Sequence, residues 1–280
     1  MLLGVVSVIS ILAAAGICLL TDAFATLTWL WLLPAGFAGS FLTLGLLYFL
    51  ILWISCALVD MNKLPDEDSR YYRLLTNWTA QTAVSLLLMK VHTKGLEKLP
   101  KKGRFLLVCN HINDLDPVTL FAFFSKAQLA FISKRENDQR FIVGPLMRKT
   151  LCQPINREND REALKTILRC VQILKEDKAS VAVFPEGYTS MDGLLHPFRP
   201  GVFKIAQKAE VPIVVCTLQN TNKPFKNIAK LKPTQVYLHL LDVIPAEELK
   251  GVTTVAIAER VHKMMADDLG PDLVLPEQTT

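Results

Sequence analysis

The apolar positions of the chain fall into three regimes. From residue 3 to residue 20 (LGVVSVISILAAAGICLL), and again from 23 to 59, they run without a single charged side chain. A bilayer-spanning helix needs ~20 predominantly apolar residues. The first run meets that length, and the second exceeds what one perpendicular helix needs. Pro34 and Gly36 interrupt the second run, so the second span is expected over 37–59, with TLTWLWLLP before it as a Trp-bearing interfacial link. Residues 70–91 (RYYRLLTNWTAQTAVSLLLMKV) mix apolar and polar positions and are too polar to cross. The stretch 61–94 is therefore expected to be an interfacial amphipathic helical segment, with packing on the body's own core as the alternative.

From residue 95 onward, short apolar runs alternate with helical periodicity. After a loop over 95–103, strands are expected at 104–109, 128–133, 152–156, 180–184, 211–219 and 234–244, the last as an outer strand. Helices are expected at 116–126, 140–150, 160–177, 201–209 and 253–269. In the third of these, Leu164, Ile167, Leu168, Val171 and Leu174 share one face. The runs SVAVF and VPIVVCTLQ are continuously apolar, as strands buried on both faces are. Such alternation predicts an α/β domain over 95–280, a mostly parallel sheet flanked by helices, preceded by an N-terminal transmembrane helical hairpin over 1–60.

Charge sharpens this picture. The first 60 residues hold two of the 26 acids, Asp22 and Asp60, and none of the 31 bases. The remainder therefore carries 31 basic against 24 acidic side chains, a net of +7. A basic body behind an uncharged head suits an anionic membrane surface or an anionic substrate. Its bases are dispersed and no aromatic-basic module is present, which argues against nucleic acid. Lys63, Arg70 and Arg73 follow the second span closely and the hairpin turn has no base, so the body is expected on the cytoplasmic face of an integral membrane protein. A cleaved signal peptide would need a basic start that residues 1–20 lack. The six cysteines have no metal-ligand spacing and read as small buried hydrophobes, reduced in the cytoplasm.

The chemistry concentrates at strand ends. LLVCNHINDLDP places His111 just past a strand and Asp116-Pro117 at an expected helix start, Asp as N-cap and Pro at N1. Folding back across that turn lets one Asp116 oxygen cap the helix while the other orients the His111 imidazole, the base-plus-orienter half of a triad. The same spacing recurs at His262 and Asp267 within a helical stretch, where it is incidental. Arg157 follows the strand CQPIN, and Glu186 follows VAVFP. Ligands of parallel α/β sheets bind beyond the carboxyl ends of strands, so a base, a cation and an acid are expected to converge there.

These stretches resemble a known family. NHINDLD is similar to the Asn-His-x-Ser-x-x-Asp block of the glycerolipid acyltransferases, QPINREN to their second block, FPEG to their third, and VPIVV followed by TLQN to their fourth. The order is the family's own, spans about residues 90–220, and fits the 1-acyl-glycerol-3-phosphate O-acyltransferases best. The resemblance implies that His111 deprotonates the free hydroxyl of a lysophospholipid acceptor and that Asp116 orients it. The alkoxide then attacks a fatty thioester on coenzyme A or acyl carrier protein, yielding phosphatidic acid. It implies that Arg157 holds the acceptor phosphate, that Glu186 and Gly187 bind the glycerol end, and that Lys134 and Arg199 are further phosphate candidates. It also implies that no metal or bound cofactor is needed. Two positions depart from the pattern. Asn113 stands where Ser is usual, and Thr189 stands where the third block often has Arg, which leaves the acceptor head group open. Another lysolipid acceptor, a catalytically dead lipid-binding relative, and a hydrolase are the alternatives; no Gly-x-Ser-x-Gly elbow supports the last.

The physics of the substrate agrees with an anchored enzyme. A thioester is already activated, so a base and oxyanion stabilisation suffice, and a positioned base contributes about 10²–10⁴-fold. Burial of a fatty chain gains ~0.8 kcal/mol per CH₂, so pulling ~15 methylenes into water costs on the order of 12 kcal/mol. An enzyme seated on the bilayer avoids that cost.

Overall fold

The computed structural model describes residues 2–63, 67–156 and 159–276. Its chain divides into two compact units, Met1–Asp60 and Met61–Thr280.

In the first unit, α1 (Leu2–Leu20) and α2 (Trp29–Ala57) form an antiparallel pair joined through a 3₁₀ turn at Ala23–Ala25. Both are long and apolar enough to cross a membrane. The pair is close at Gly36, where an added Cβ would lie 3.3 Å from Ala14; small residues of this kind let helix backbones approach. The expected break before residue 37 does not occur. Helix α2 begins at Trp29 and runs through Pro34, so the Trp-bearing stretch is helical. Pro34 lies in the second turn, where its missing N–H removes the partner of a single carbonyl and leaves the rest of the ladder intact.

The second unit begins with α3 (Arg70–Leu86), capped by Ser69, whose side chain accepts from the Tyr72 N–H. Strand β1 (Met89–Lys94) follows, then β2 (Leu106–Cys109), α4 (Leu115–Phe123), β3 (Leu129–Lys134), α5 (Val143–Lys149) and β4 (Gln153–Ile155). Next come α6 (Asp160–Lys175), β5 (Ser180–Val183), α7 (Lys204–Ala209), β6 (Ile213–Gln219), α8 (Pro224–Ile228), β7 (Thr234–Ile244) and α9 (Thr254–Leu269). One seven-stranded sheet has the order β1-β7-β6-β2-β5-β3-β4. Strands β6, β2, β5, β3 and β4 are mutually parallel; β7 runs antiparallel to β6, and β1 parallel to β7.

The continuous apolar runs explain the middle of the sheet. Leu106 and Val108, Val181 and Val183, and Ile213 and Val215 point into a core completed by α6, α7 and α9. Their alternates Leu107 and Cys109, Ala182, and Val214 and Cys216 point into the opposite core, against α3 and α4. Period-2 alternation thus feeds two apolar layers from a single strand. All six cysteines are buried.

Several expectations are corrected. The stretch 61–94 is not helical throughout: α3 ends at Leu86 and residues 89–94 form β1. The inner face of α3 also belongs to the body's core through Ala80 and Val84. Arg73 is buried there, paired with Asp68 at 2.6 Å and donating to the carbonyls of Leu129 and Thr150, so its charge is satisfied within the fold. Strand β7 is not outermost, because β1 covers it. Strand β1 itself, MKVHTK, carries the Lys residues typical of a protected edge. On α6 the buried stripe runs through Cys170, Val171, Ile173 and Leu174, while Leu164 and Leu168 are exposed.

Candidate active site

The chain leaves β2 toward α4 on one face of the sheet and leaves β5 toward α7 on the other. Adjacent strands whose connections diverge in this way open a crevice at their carboxyl ends. His111 lies just past β2, and Glu186 just past β5.

The turn after β2 is built by its own polar side chains. Asn110 is buried and reaches across to β6, its amide donating to the Leu218 carbonyl at 2.9 Å and its oxygen accepting from the Leu218 N–H at 2.8 Å. Asn113 Oδ1 accepts from the Leu115 N–H at 3.1 Å, a turn bond that Ser could also make. Asp116 is fully buried. Its Oδ2 receives three donors, the Ile112 N–H at 2.7 Å, the Asn113 N–H at 2.8 Å and His111 Nδ1 at 2.8 Å. Its Oδ1 accepts from the Thr221 hydroxyl. The expected N-cap role is corrected here. Helix α4 starts at Leu115 with Asp114 as N-cap, so Asp116 is already in the first turn and its carboxylate points back into the loop.

This arrangement fixes the imidazole. A carboxylate only accepts, so Nδ1 donates to Asp116 and Nε2 is left as the acceptor. The ring stacks on Phe184 at 4.1 Å between centroids and 16° between planes. Its side chain is 14% exposed, so the imidazole is not sealed in the core. Nε2 is met by the Thr189 hydroxyl at 2.9 Å.

Glu186 is 1% exposed. Its Oε1 accepts from the His111 N–H at 2.7 Å and its Oε2 from the His196 N–H at 3.2 Å. Both oxygens accept inside the turn, so Glu186 braces the His111 backbone. Burial pushes its carboxyl up to about 8, against the two backbone bonds that pull it down. The folded chain therefore holds this proton over a range where the unfolded chain, near pKa 4.3, has lost it. The contribution to stability is present below that range and is lost as pH rises toward 8. Thermal unfolding of wild type and Glu186→Gln across pH 5–9 is expected to show wild type losing stability relative to the variant as pH rises. A constant difference would contradict this.

Gly187 turns with φ +82°, and a Cβ there would lie 2.6 Å from Arg199 Nε. Only glycine meets both demands. The Arg199 N–H donates to the Pro185 carbonyl at 2.8 Å, which sets an exposed guanidinium over the Glu186–Gly187 turn. Lys134 ends β3 at the same sheet edge but pairs with Glu136 at 3.3 Å, outside the His111 cluster. Arg157 lies outside the described residues. His262 packs edge-on against Phe198 at 4.9 Å. Among the described residues no group of three or more His, Cys, Asp or Glu could hold a metal ion.

Sequence reasoning passed over three participants. Thr221 lies 105 residues from Asp116, and no local pattern announces it. Thr189 stands out in the sequence only as a missing cation, whereas its hydroxyl meets His111 Nε2 at 2.9 Å. Arg140 pairs with Asp114 in the turn itself at 3.2 Å. Thr221→Val keeps the shape but deletes a donor to a buried carboxylate, a bond worth about 1.5–3 kcal/mol. Turnover is expected to fall by at least about tenfold, 1.4 kcal/mol being one decade, and Thr221→Ser is expected to restore it. Equal rates in all three proteins would show that this hydroxyl has no part in positioning.

Fold and site together place a histidine, oriented by a buried carboxylate, at the switch point of a mostly parallel sheet, the arrangement that general-base chemistry requires. The acyltransferase family model matches residues 90–219, which includes every motif of the site from His111 to Glu186. A 1-acyl-sn-glycerol-3-phosphate acyltransferase of Chlamydomonas reinhardtii is 31% identical over 241 residues, 85% of this chain and 69% of that one. A chloroplastic one from Brassica napus is 35% identical over 158 residues; that match takes in 55% of this chain and only 45% of the relative. The crystal structure of the 1-acyl-sn-glycerophosphate acyltransferase PlsC from Thermotoga maritima shares the fold, with TM-score 0.61 and 22% identity over 80% of this chain and 88% of that one. The chain belongs to the acyltransferase family.

Proposed function

We propose that this chain moves a fatty acyl group from a thioester, on coenzyme A or acyl carrier protein, to the free hydroxyl of 1-acyl-sn-glycerol-3-phosphate, forming phosphatidic acid. The observation that carries the reading is the His111 Nδ1 to Asp116 Oδ2 bond of 2.8 Å, which leaves Nε2 as the proton acceptor of a partly exposed side chain. In the reaction, Nε2 takes the proton of the acceptor hydroxyl as its oxygen attacks the thioester carbon. The imidazolium so formed rests on the Asp116 carboxylate and returns the proton to the leaving thiolate. These residues and an activated donor suffice, with no resident metal or cofactor. Arg199 over the third-block turn, and Arg157 after β4 in the sequence, are the cations assigned to the acceptor phosphate. Lys134 is assigned a lesser share because it already has a carboxylate partner.

Helices α1 and α2 would anchor the enzyme, with the catalytic unit on the cytoplasmic side. The apolar surface on both helices supports the anchor: Leu12, Leu19, Leu42 and Leu46 are each at least 60% exposed. The exposed Tyr71 and Leu74 of α3 keep an interfacial role for that helix's outer face.

A second acceptor class is favoured by one observation. Thr189, at the position where the family often has Arg, faces His111 and brings no charge. A lysolipid lacking the glycerol phosphate would not need that cation. Purified full-length protein with acyl-coenzyme A or acyl carrier protein, offered 1-acyl-sn-glycerol-3-phosphate beside neutral, zwitterionic and amino-acid lysolipids, tests the proposal. The highest kcat/KM is expected with the phosphate acceptor. A preference for a phosphate-free lysolipid would replace the acceptor and keep the chemistry, and no acyl transfer to any of them would remove both.

A further inference from the structure

Resting on the acyl-transfer reading, we propose that Thr189 is itself a nucleophile, which takes the acyl group when no acceptor fills the site and makes the chain an acyl-thioester hydrolase as well. The geometry is nucleophile, base and orienter in line: Thr189 Oγ1 at 2.9 Å from His111 Nε2, and His111 Nδ1 at 2.8 Å from Asp116 Oδ2.

The placement of Thr189 is not that of a loose loop side chain. Its segment is fastened to the backbone of His111 on both sides. Glu186 accepts from the His111 N–H at 2.7 Å, while Ser190 donates to the His111 carbonyl through its N–H at 2.8 Å and its hydroxyl at 3.0 Å. Three residues after one clamp and one before the other, Thr189 is delivered to the ring edge. Its neighbour Tyr188 is steadied separately, its hydroxyl 2.9 Å from His196 Nδ1.

The chemistry follows from competition for one lone pair. Nε2 has a single acceptor site, and an acceptor alcohol must occupy it to be deprotonated. Thr189 occupies it here, so its oxygen sits where the acceptor oxygen has to sit. A thioester placed for attack by that alcohol is then placed for attack by Thr189 whenever the alcohol is absent. In the first step the Thr189 Oγ–H proton passes to Nε2, the Oγ–acyl bond forms, the C–S bond breaks, and the thiolate takes the proton as free thiol. In the second, a water molecule attacks the Thr189 ester, its proton passes through Nε2 to Oγ, and a fatty acid leaves. The partly exposed side chain admits that water. Each step conserves atoms and electrons with only the donor and water as reactants.

The experiment mixes the full-length protein in detergent micelles with palmitoyl-coenzyme A and no acceptor. Free thiol is followed by a chromogenic disulfide, and the chain by intact and peptide mass. The expected result is a burst of about one thiol per chain followed by slow release, with one palmitoyl group on the peptide containing Thr189. Thr189→Ser retains the burst and the adduct; Thr189→Val and His111→Ala lose both. Should wild type form diacyl product when an acceptor is supplied, yet show neither burst nor adduct without one, this proposal is overturned and the transfer reaction stands. A burst that survives in Thr189→Val also overturns it, by placing the acyl group elsewhere. Should wild type transfer no acyl group to any acceptor, the underlying reading fails instead.

Discussion

Replacing His111 by alanine is expected to cut acyl transfer by about 10²–10⁴-fold, the contribution of a positioned general base, while leaving the protein folded. The separation of the two effects comes from where His111 makes its bonds. What braces the turn is its backbone: the N–H held by Glu186 and the carbonyl held by Ser190. Alanine keeps both. The side chain contributes only the Asp116 bond, the Thr189 bond and a face against Phe184. Steady-state transfer and the thermal midpoint, measured on the same preparation, check the prediction. Unchanged turnover would remove the proposed base.

The second-largest effect is expected at Asp116. In Asp116→Asn the side-chain oxygen can take the Oδ2 position and keep the bonds from Ile112, Asn113 and His111, while the new amide faces Thr221, whose hydroxyl can accept as well as donate. Shape, tautomer and fold survive; the negative charge that steadies the imidazolium does not. Charge-assisted bonds are roughly twice as strong as neutral ones, and their loss costs about 1.5–3 kcal/mol, so kcat is expected to fall about 10- to 100-fold with little change in thermal midpoint. Asp116→Ala differs in kind. It leaves two backbone N–H groups and a hydroxyl unpaired in a fully buried place, at about 1–3 kcal/mol each, and is expected to lower stability as well. If Asn and Ala proved equally unstable and equally inactive, Asp116 would be a structural cap and no more.

The contrast between what could and could not be read along the chain has physical causes. Strands β5 and β6 were legible because burial on both faces demands continuous apolar runs. Strand β7 was legible from its alternation over Thr234–Ile244. Strand β1 was not, because an exposed edge is built from Lys and His, and its apolar start merges with the end of α3. The span α2 was shortened because Pro34 reads as a break, whereas near a helix start a proline removes only one bond. At the site, the five-residue separation of His111 and Asp116 was visible as a turn. The four-donor cage around the carboxylate was not, since Thr221 arrives from the turn after β6. Glu186 was legible as a strand-end acid at the site; only burial and its two backbone bonds reveal it as a brace for His111.

The central claim is that the lipid alcohol gives its proton to His111 Nε2. A structure of the full chain with a lysophospholipid acceptor and an unreactive thioether analogue of the donor tests it most directly. The free hydroxyl oxygen should lie about 2.6–3.2 Å from Nε2, with the Thr189 hydroxyl displaced. An acceptor bound with that oxygen out of reach, and Thr189 still on the ring, would contradict it.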